Sequence, residues 1–231
     1  MHVLVVCTAN IARSPLAEAM LAASLAPHGV DVSSAGTRAS DGHPAASASQ
    51  ELARLRGLDL TGHRSRPVTE RLVQAADLVL TMSERHRDAC GPLVPGAGRR
   101  TFTVRELVRL LTAADVADGP DAVAERLPWL VEQAQLARPV APPPRGKEDV
   151  HDPIRDPWPA WTVMGATLDD LLTTVVRAAG AEPAWQPQAA VRAEVGAEVS
   201  RDDSGTAARP ATDPAPRTGW FRRRRASARK P

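Results

Sequence analysis

Apolar and polar positions fall in alternating blocks along the first half of the chain, and the blocks predict alternating strands and helices. Residues 2–6 (His-Val-Leu-Val-Val) are a short run rich in β-branched side chains, with the length of a buried strand. After Ser14-Pro15, the residues Ala17, Met20, Leu21 and Leu25 recur at helical spacing, and proline suits the first turn of a helix. A second strand is predicted at 30–34, ended by Gly36, and a helix at about 45–57, ended by Gly57. Residues 69–76 read as helix and 77–82 (Asp-Leu-Val-Leu-Thr-Met) as a third buried strand. Strands alternating with helices predict an α/β fold whose parallel sheet is covered on both faces.

The second half reads as helical. Patterns at about 104–114 and 121–137 precede a proline-rich stretch, 138–145, that is expected to be an extended loop. A last amphipathic helix at about 160–179 carries Trp161, Met164, Leu168, Leu171, Leu172 and Val175 at core-like intervals. Residues 1–180 are therefore expected to form one domain. From 181 to 231 the chain is Ala, Pro, Arg, Glu, Asp and Ser with few large apolar residues. That composition does not offset the entropy of ordering, so a disordered tail is expected.

Composition narrows the function classes. With 231 residues, 43% of them hydrophobic, the chain can fill a sizeable core. It has two cysteines, Cys7 and Cys90, which argues against a secreted disulfide framework and for a reducing compartment. No apolar run approaches the roughly 20 residues needed to span a bilayer, and Met1-His2 opens no readable signal peptide, so a cytoplasmic protein is expected. The net charge of +2 is uneven: residues 181–231 hold 10 basic and 6 acidic side chains, which leaves the first 180 slightly acidic. A nucleic-acid function is not required by such a balance.

The informative segment is Cys7-Thr8-Ala9-Asn10-Ile11-Ala12-Arg13-Ser14-Pro15, between the first strand and the first helix. A strand that feeds a short loop into a helix N-terminus makes a concave row of backbone N–H groups that binds an anion. A thiol at the mouth of that loop sits in a positive field, which favours the nucleophilic thiolate. Arg13 can offer a planar fork to two oxygens of a tetrahedral oxyanion. Ser14 can hydrogen-bond the thiolate, and Asn10 can brace the loop through its amide or adopt a left-handed conformation. The plainer reading makes Cys7 an inert buried cysteine and Arg13 a solvated helix-start residue.

The segment resembles the opening of the low-molecular-weight protein tyrosine phosphatases, an apolar strand followed by Cys-x5-Arg-Ser-Pro. The likeness continues through Val32 to Thr37 (Val-Ser-Ser-Ala-Gly-Thr), through Gly62-His63-Arg64-Ser65-Arg66, through Ala76 to Met82, and through an Asp-Pro segment before the last helix. The resemblance implies a four-stranded parallel sheet flanked by helices, and hydrolysis of phosphotyrosine through a cysteinyl-phosphate intermediate without a metal or other cofactor. It implies Cys7 as nucleophile, Arg13 with the loop residues Thr8, Ala9, Asn10, Ile11 and Ala12 as phosphate binders, and Ser14 as an aid to thiolate departure. The general acid would be the Asp of an Asp-Pro pair. Two such pairs occur, and the spacing after Glu148-Asp149-Val150 favours Asp152 over Asp156. The partner implied is a phosphotyrosine-containing protein such as a bacterial tyrosine kinase.

The chain also departs from the family pattern. Ala12 stands where several members carry a second cysteine that protects the nucleophile, and Ile11 stands where phosphoarginine-specific relatives use threonine. There is no tyrosine in the chain, and residues 38–44 hold no aromatic; Trp158 or Trp161 would have to supply an aromatic wall. Two alternatives share these residues. A thiol-dependent arsenate reductase of the same fold would need Cys90, eight residues after Met82, as a resolving thiol. A non-catalytic anion binder would leave the biology to the tail and its patch Trp220-Phe221-Arg222-Arg223-Arg224-Arg225, whose partner the sequence does not name. The six histidines show no metal-ligand spacing; His63 reads as a structural contact and His151 as a neighbour able to tune Asp152.

Overall fold

The computed structural model describes residues 1–114 and 116–187. Four strands, β1 (His2–Cys7), β2 (Asp31–Gly36), β3 (Leu78–Thr81) and β4 (Thr101–Thr103), form one parallel sheet in the order β2-β1-β3-β4. Among the described residues seven α-helices accompany it: α1 (Arg13–Leu25), α2 (Ser47–Arg54), α3 (Glu70–Ala75), α4 (Glu84–Cys90), α5 (Val104–Ala113), α6 (Val123–Ala137) and α7 (Trp158–Ala178). The expected alternation of strand and helix is present, and α4 and β4 are additions to it. No helix among the described residues is long and apolar enough to cross a membrane.

Side chains alternate along β1, and the two faces of the sheet bury different cores. Val3, Val5 and Cys7 enter the larger core with residues of α1, α2, α5, α6 and α7. Leu4 and Val6 enter a smaller one with Val73 of α3, Cys90 of α4 and Ala97. Helix α5 opens with a capping box, in which the Thr103 hydroxyl accepts from Glu106 N while the Glu106 carboxylate accepts from Thr103 N.

The ordered domain runs past the expected end at residue 180. Ala181 and Trp185 are buried, the Trp185 indole donates to Asp169 Oδ1 at 3.0 Å, and Ala184 N donates to Ser24 Oγ at 2.9 Å. Asp169 in turn takes both Arg56 Nε (2.9 Å) and Nη2 (2.7 Å), with Arg56 almost wholly buried. Trp185 with its buried acceptor, helped by the Ala184 and Ala181 contacts, therefore holds a stretch whose overall composition reads as unfolded. The remainder of the expected tail, including Trp220 to Arg225, lies outside the described residues.

Candidate active site

In a parallel sheet the loops leaving the strands' carboxyl ends collect on one edge, where open α/β folds place their ligands. Here β1 lies between β2 and β3, with Cys7 level with Gly36 and Val6 level with Thr81. The chain must pass from Cys7 into α1 across residues 8–12. Asn10 makes the turn at φ 55°, the one non-glycine with positive φ among the described residues. Its amide also braces the loop, so both roles open to it in the sequence are filled: Nδ2 donates to Ser34 Oγ (2.7 Å) and Ser14 Oγ (3.0 Å), and Oδ1 accepts from Arg66 N (2.9 Å).

The loop's carbonyls are fastened from outside. Arg38 N donates to Thr8 O, His63 Nε2 to Asn10 O, Ala46 N to Ile11 O and Ser49 Oγ to Ala12 O, each at 2.8 Å. The backbone N–H groups of residues 8–12, in contrast, donate to no acceptor among the described residues. Helix α1 continues this donor surface, since its first turn has no acidic residue and its N-cap, Ala12, has no capping side chain. Bound carbonyls and free amides on one tight loop make a receptor for an anion. Gly36 is what lets the neighbouring strand come so close: a Cβ there would lie 2.5 Å from Thr8 O and 2.9 Å from Asn10 N.

Cys7 ends β1 beneath the loop, 2% exposed, and the Ser14 hydroxyl donates to its Sγ at 3.0 Å. Arg13 is also buried. Its Nη1 donates to Val150 O (3.0 Å), and its Nη2 donates to Thr8 Oγ1 (3.3 Å) and is paired with Asp152 Oδ2. Arg13 Nε is buried without a partner. The loop carrying Asp152 is held against the sheet edge by Val150 N, which donates to Met82 O at 2.8 Å. Thr8, Arg13, His86 and Asp152 line one cavity of about 450 Å³, and the exposed Arg38 and Arg85 are among its other lining residues.

Several neighbours of the motif take definite places. Asp156 does not line the cavity; it meets His151 Nε2 at 2.6 Å, so His151 partners Asp156 and not Asp152. Trp161 is buried in the larger core, Trp158 is exposed, and neither is among the residues lining the cavity, so neither forms the aromatic wall the sequence suggested. Cys90 lies in the smaller core, across the sheet from Cys7, and burial pushes its thiol up to about 11. Such a thiol does not reach Cys7 to resolve an adduct. Among the described residues, no cluster of His, Cys, Asp or Glu is placed to hold a metal ion.

His86 is the site residue the sequence reading did not find. Its Nε2 lies 2.9 Å from Thr8 Oγ1 and its Nδ1 2.8 Å from Ser83 Oγ, the hydroxyl that also caps α4. Burial and the Arg13 charge push the imidazole down to about 4, against the opposing carboxylates of Asp152 and Asp149. The ring is therefore neutral at physiological pH. The available signal was Ser83 three residues before His86, a helix cap with no apolar stripe behind it.

A family model for low molecular weight phosphotyrosine protein phosphatase matches residues 2–124, slightly more than half of the chain. The chain belongs to this family. A probable low molecular weight protein-tyrosine-phosphatase, EpsP, from Ralstonia nicotianae is 37% identical over 50% of this chain and 76% of its own. A protein-arginine-phosphatase from Geobacillus stearothermophilus is 35% identical over 51% of this chain and 77% of its own. Among solved structures, a low molecular weight protein tyrosine phosphatase from T. tengcongensis superposes with a TM-score of 0.56 at 27% identity, covering 77% of this chain and 98% of that one. The protein is thus a phosphatase of the low-molecular-weight tyrosine phosphatase family, with relatives of two named specificities.

Proposed function

We propose that this phosphatase hydrolyses phosphotyrosine in proteins, with Cys7 as nucleophile. The observation that carries the reading is the loop of free amides above Cys7 Sγ, closed on one side by Arg13 and Asp152. The N–H groups of residues 8–12 and the unpartnered Arg13 Nε receive the phosphate oxygens, and the phosphate displaces Asp152 from Arg13 Nη2. Cys7 Sγ attacks phosphorus as the phosphorus–oxygen bond to the phenol breaks, and protonated Asp152 gives its proton to the leaving oxygen. Asp152 then takes a proton from water, the water oxygen attacks phosphorus, and the sulfur–phosphorus bond breaks to release phosphate. Ser14, already donating to Sγ, stabilises the departing thiolate.

Two features favour phosphotyrosine over phosphoarginine. Ile11 stands where the phosphoarginine-specific pattern has threonine, and the cavity lining carries Arg38 and Arg85, which repel a basic leaving group. The deciding experiment compares para-nitrophenyl phosphate, a phosphotyrosyl peptide and a phosphoarginyl peptide with the wild type and Cys7→Ser. Turnover of the first two, lost in Cys7→Ser, is the expected result. Faster cleavage of the phosphoarginyl peptide would overturn the specificity, and turnover surviving in Cys7→Ser would overturn the mechanism.

A further inference from the structure

The lining of the catalytic cavity holds charge that the hydrolytic scheme leaves unused. Because β1 lies between β2 and β3, the segments following those two strands flank the phosphate loop on its two sides. Each contributes one arginine to the cavity lining, Arg38 beyond β2 and Arg85 at the start of α4. Both are anchored through Thr8: Arg38 N donates to Thr8 O at 2.8 Å, and the residue after Arg85, His86, meets Thr8 Oγ1 at 2.9 Å. Both side chains are exposed, and neither makes a hydrogen bond or ion pair with a described residue.

The other charges of the lining are already engaged. Asp152 pairs with Arg13, the Asp149 carboxylate accepts from Glu84 N at 2.9 Å, His151 Nε2 meets Asp156 Oδ2 at 2.6 Å, and His86 is neutral. No phenylalanine, tyrosine or tryptophan lines the cavity, so beyond the phosphate itself the strongest recognition available is ionic. Two unpaired guanidinium groups, on the segments at either side of the loop after β1, fit carboxylates on residues that flank a phosphotyrosine.

We propose that Arg38 and Arg85 form a cationic subsite that reads acidic side chains flanking the phosphotyrosine, so that the substrates are acidic phosphotyrosyl segments of proteins. The proposal rests on the phosphotyrosine phosphatase reading above. Exposed ion pairs shift an equilibrium by about 1.4- to 5-fold each. Two of them then give an acidic-over-neutral preference of about 2- to 30-fold in kcat/KM, shrinking as salt is raised.

The test uses the full chain and three phosphotyrosyl peptides that differ only in flanking aspartate, alanine or lysine, with para-nitrophenyl phosphate alongside. The expected order is aspartate, then alanine, then lysine. The aspartate-to-alanine ratio should fall towards one in the double variant Arg38→Gln with Arg85→Gln. Equal cleavage of the three peptides would overturn the subsite, and so would a preference that persists in the double variant, which would assign it to other cations of the chain. Failure to cleave any peptide while para-nitrophenyl phosphate is turned over would instead overturn the phosphotyrosyl-protein reading on which the subsite rests.

Discussion

Replacing His86 by glutamine isolates the contribution of a buried neutral imidazole to the phosphate loop. In the unfolded chain His86 titrates near 6.5, and in the folded protein burial and Arg13 hold it neutral down to about 4. Between those values the unfolded chain binds a proton that the folded one does not. The wild type therefore loses stability as pH falls from about 6.5 to about 4, and the loss levels off below that. At about 1.36 kcal/mol per pH unit, the displacement corresponds to about 3 kcal/mol. Glutamine does not titrate, and its amide supplies a donor and an acceptor towards Ser83 and Thr8. Urea unfolding of both proteins between pH 7.5 and pH 4 checks this, because carboxylates that protonate over the same range contribute to both and cancel in the difference. The variant should lose about 3 kcal/mol less than the wild type, a relative shift of about 1–1.5 M in the urea midpoint at slopes of about 2–3 kcal/mol/M. Inorganic phosphate should narrow the difference, since an anion in the loop offsets the Arg13 charge. Parallel pH curves for the two proteins would refute the buried neutral state.

Other substitutions probe the remaining supports of the site. Gly36→Ala should disable turnover, because the added Cβ would fall 2.5 Å from the backbone oxygen of Thr8; phosphate affinity measured by calorimetry should fall with it. Asp152→Asn should slow aryl esters of poor leaving groups by about 10²–10⁴-fold and activated esters much less, as removal of a general acid does, while Asp156→Asn should change kcat by only a few-fold. The leaving-group series for both variants checks the assignment, and the reverse pattern would transfer the role to Asp156. Trp185→Ala should cost about 3–5 kcal/mol in urea unfolding, since it empties a buried site and removes the indole donor from Asp169.

What the sequence made legible follows from how each part of the molecule is built. β1 and the loop after it are continuous in the chain, so Cys7, Arg13 and Ser14 come with their order and spacing already fixed, and α1 announces itself by an apolar stripe. β4 is only Thr101-Phe102-Thr103, too short for a period to show, and the fourth strand was expected from family resemblance alone. Helix α4 buries just His86 and Cys90, too few apolar positions to show a stripe, and polar contacts such as the two hydrogen bonds at the imidazole tie it to the rest of the site. A hydrogen bond between side chains 78 residues apart leaves no pattern in a sequence. The same holds for the meeting of Arg13 with Asp152, set by Val150 docking on the sheet edge, and for Trp185, whose indole meets a buried carboxylate on α7. The phosphate loop lies between these cases. Its residue types were readable, but the arrangement that leaves its amides free rests on four outside donors, from Arg38, Ala46, Ser49 and His63, that occupy its carbonyls. Of those donors only Ser49 lies within a helix, and Arg38, Ala46 and His63 sit on connecting segments with no apolar period, so the residue types of the loop were legible while the reason it holds its shape was not.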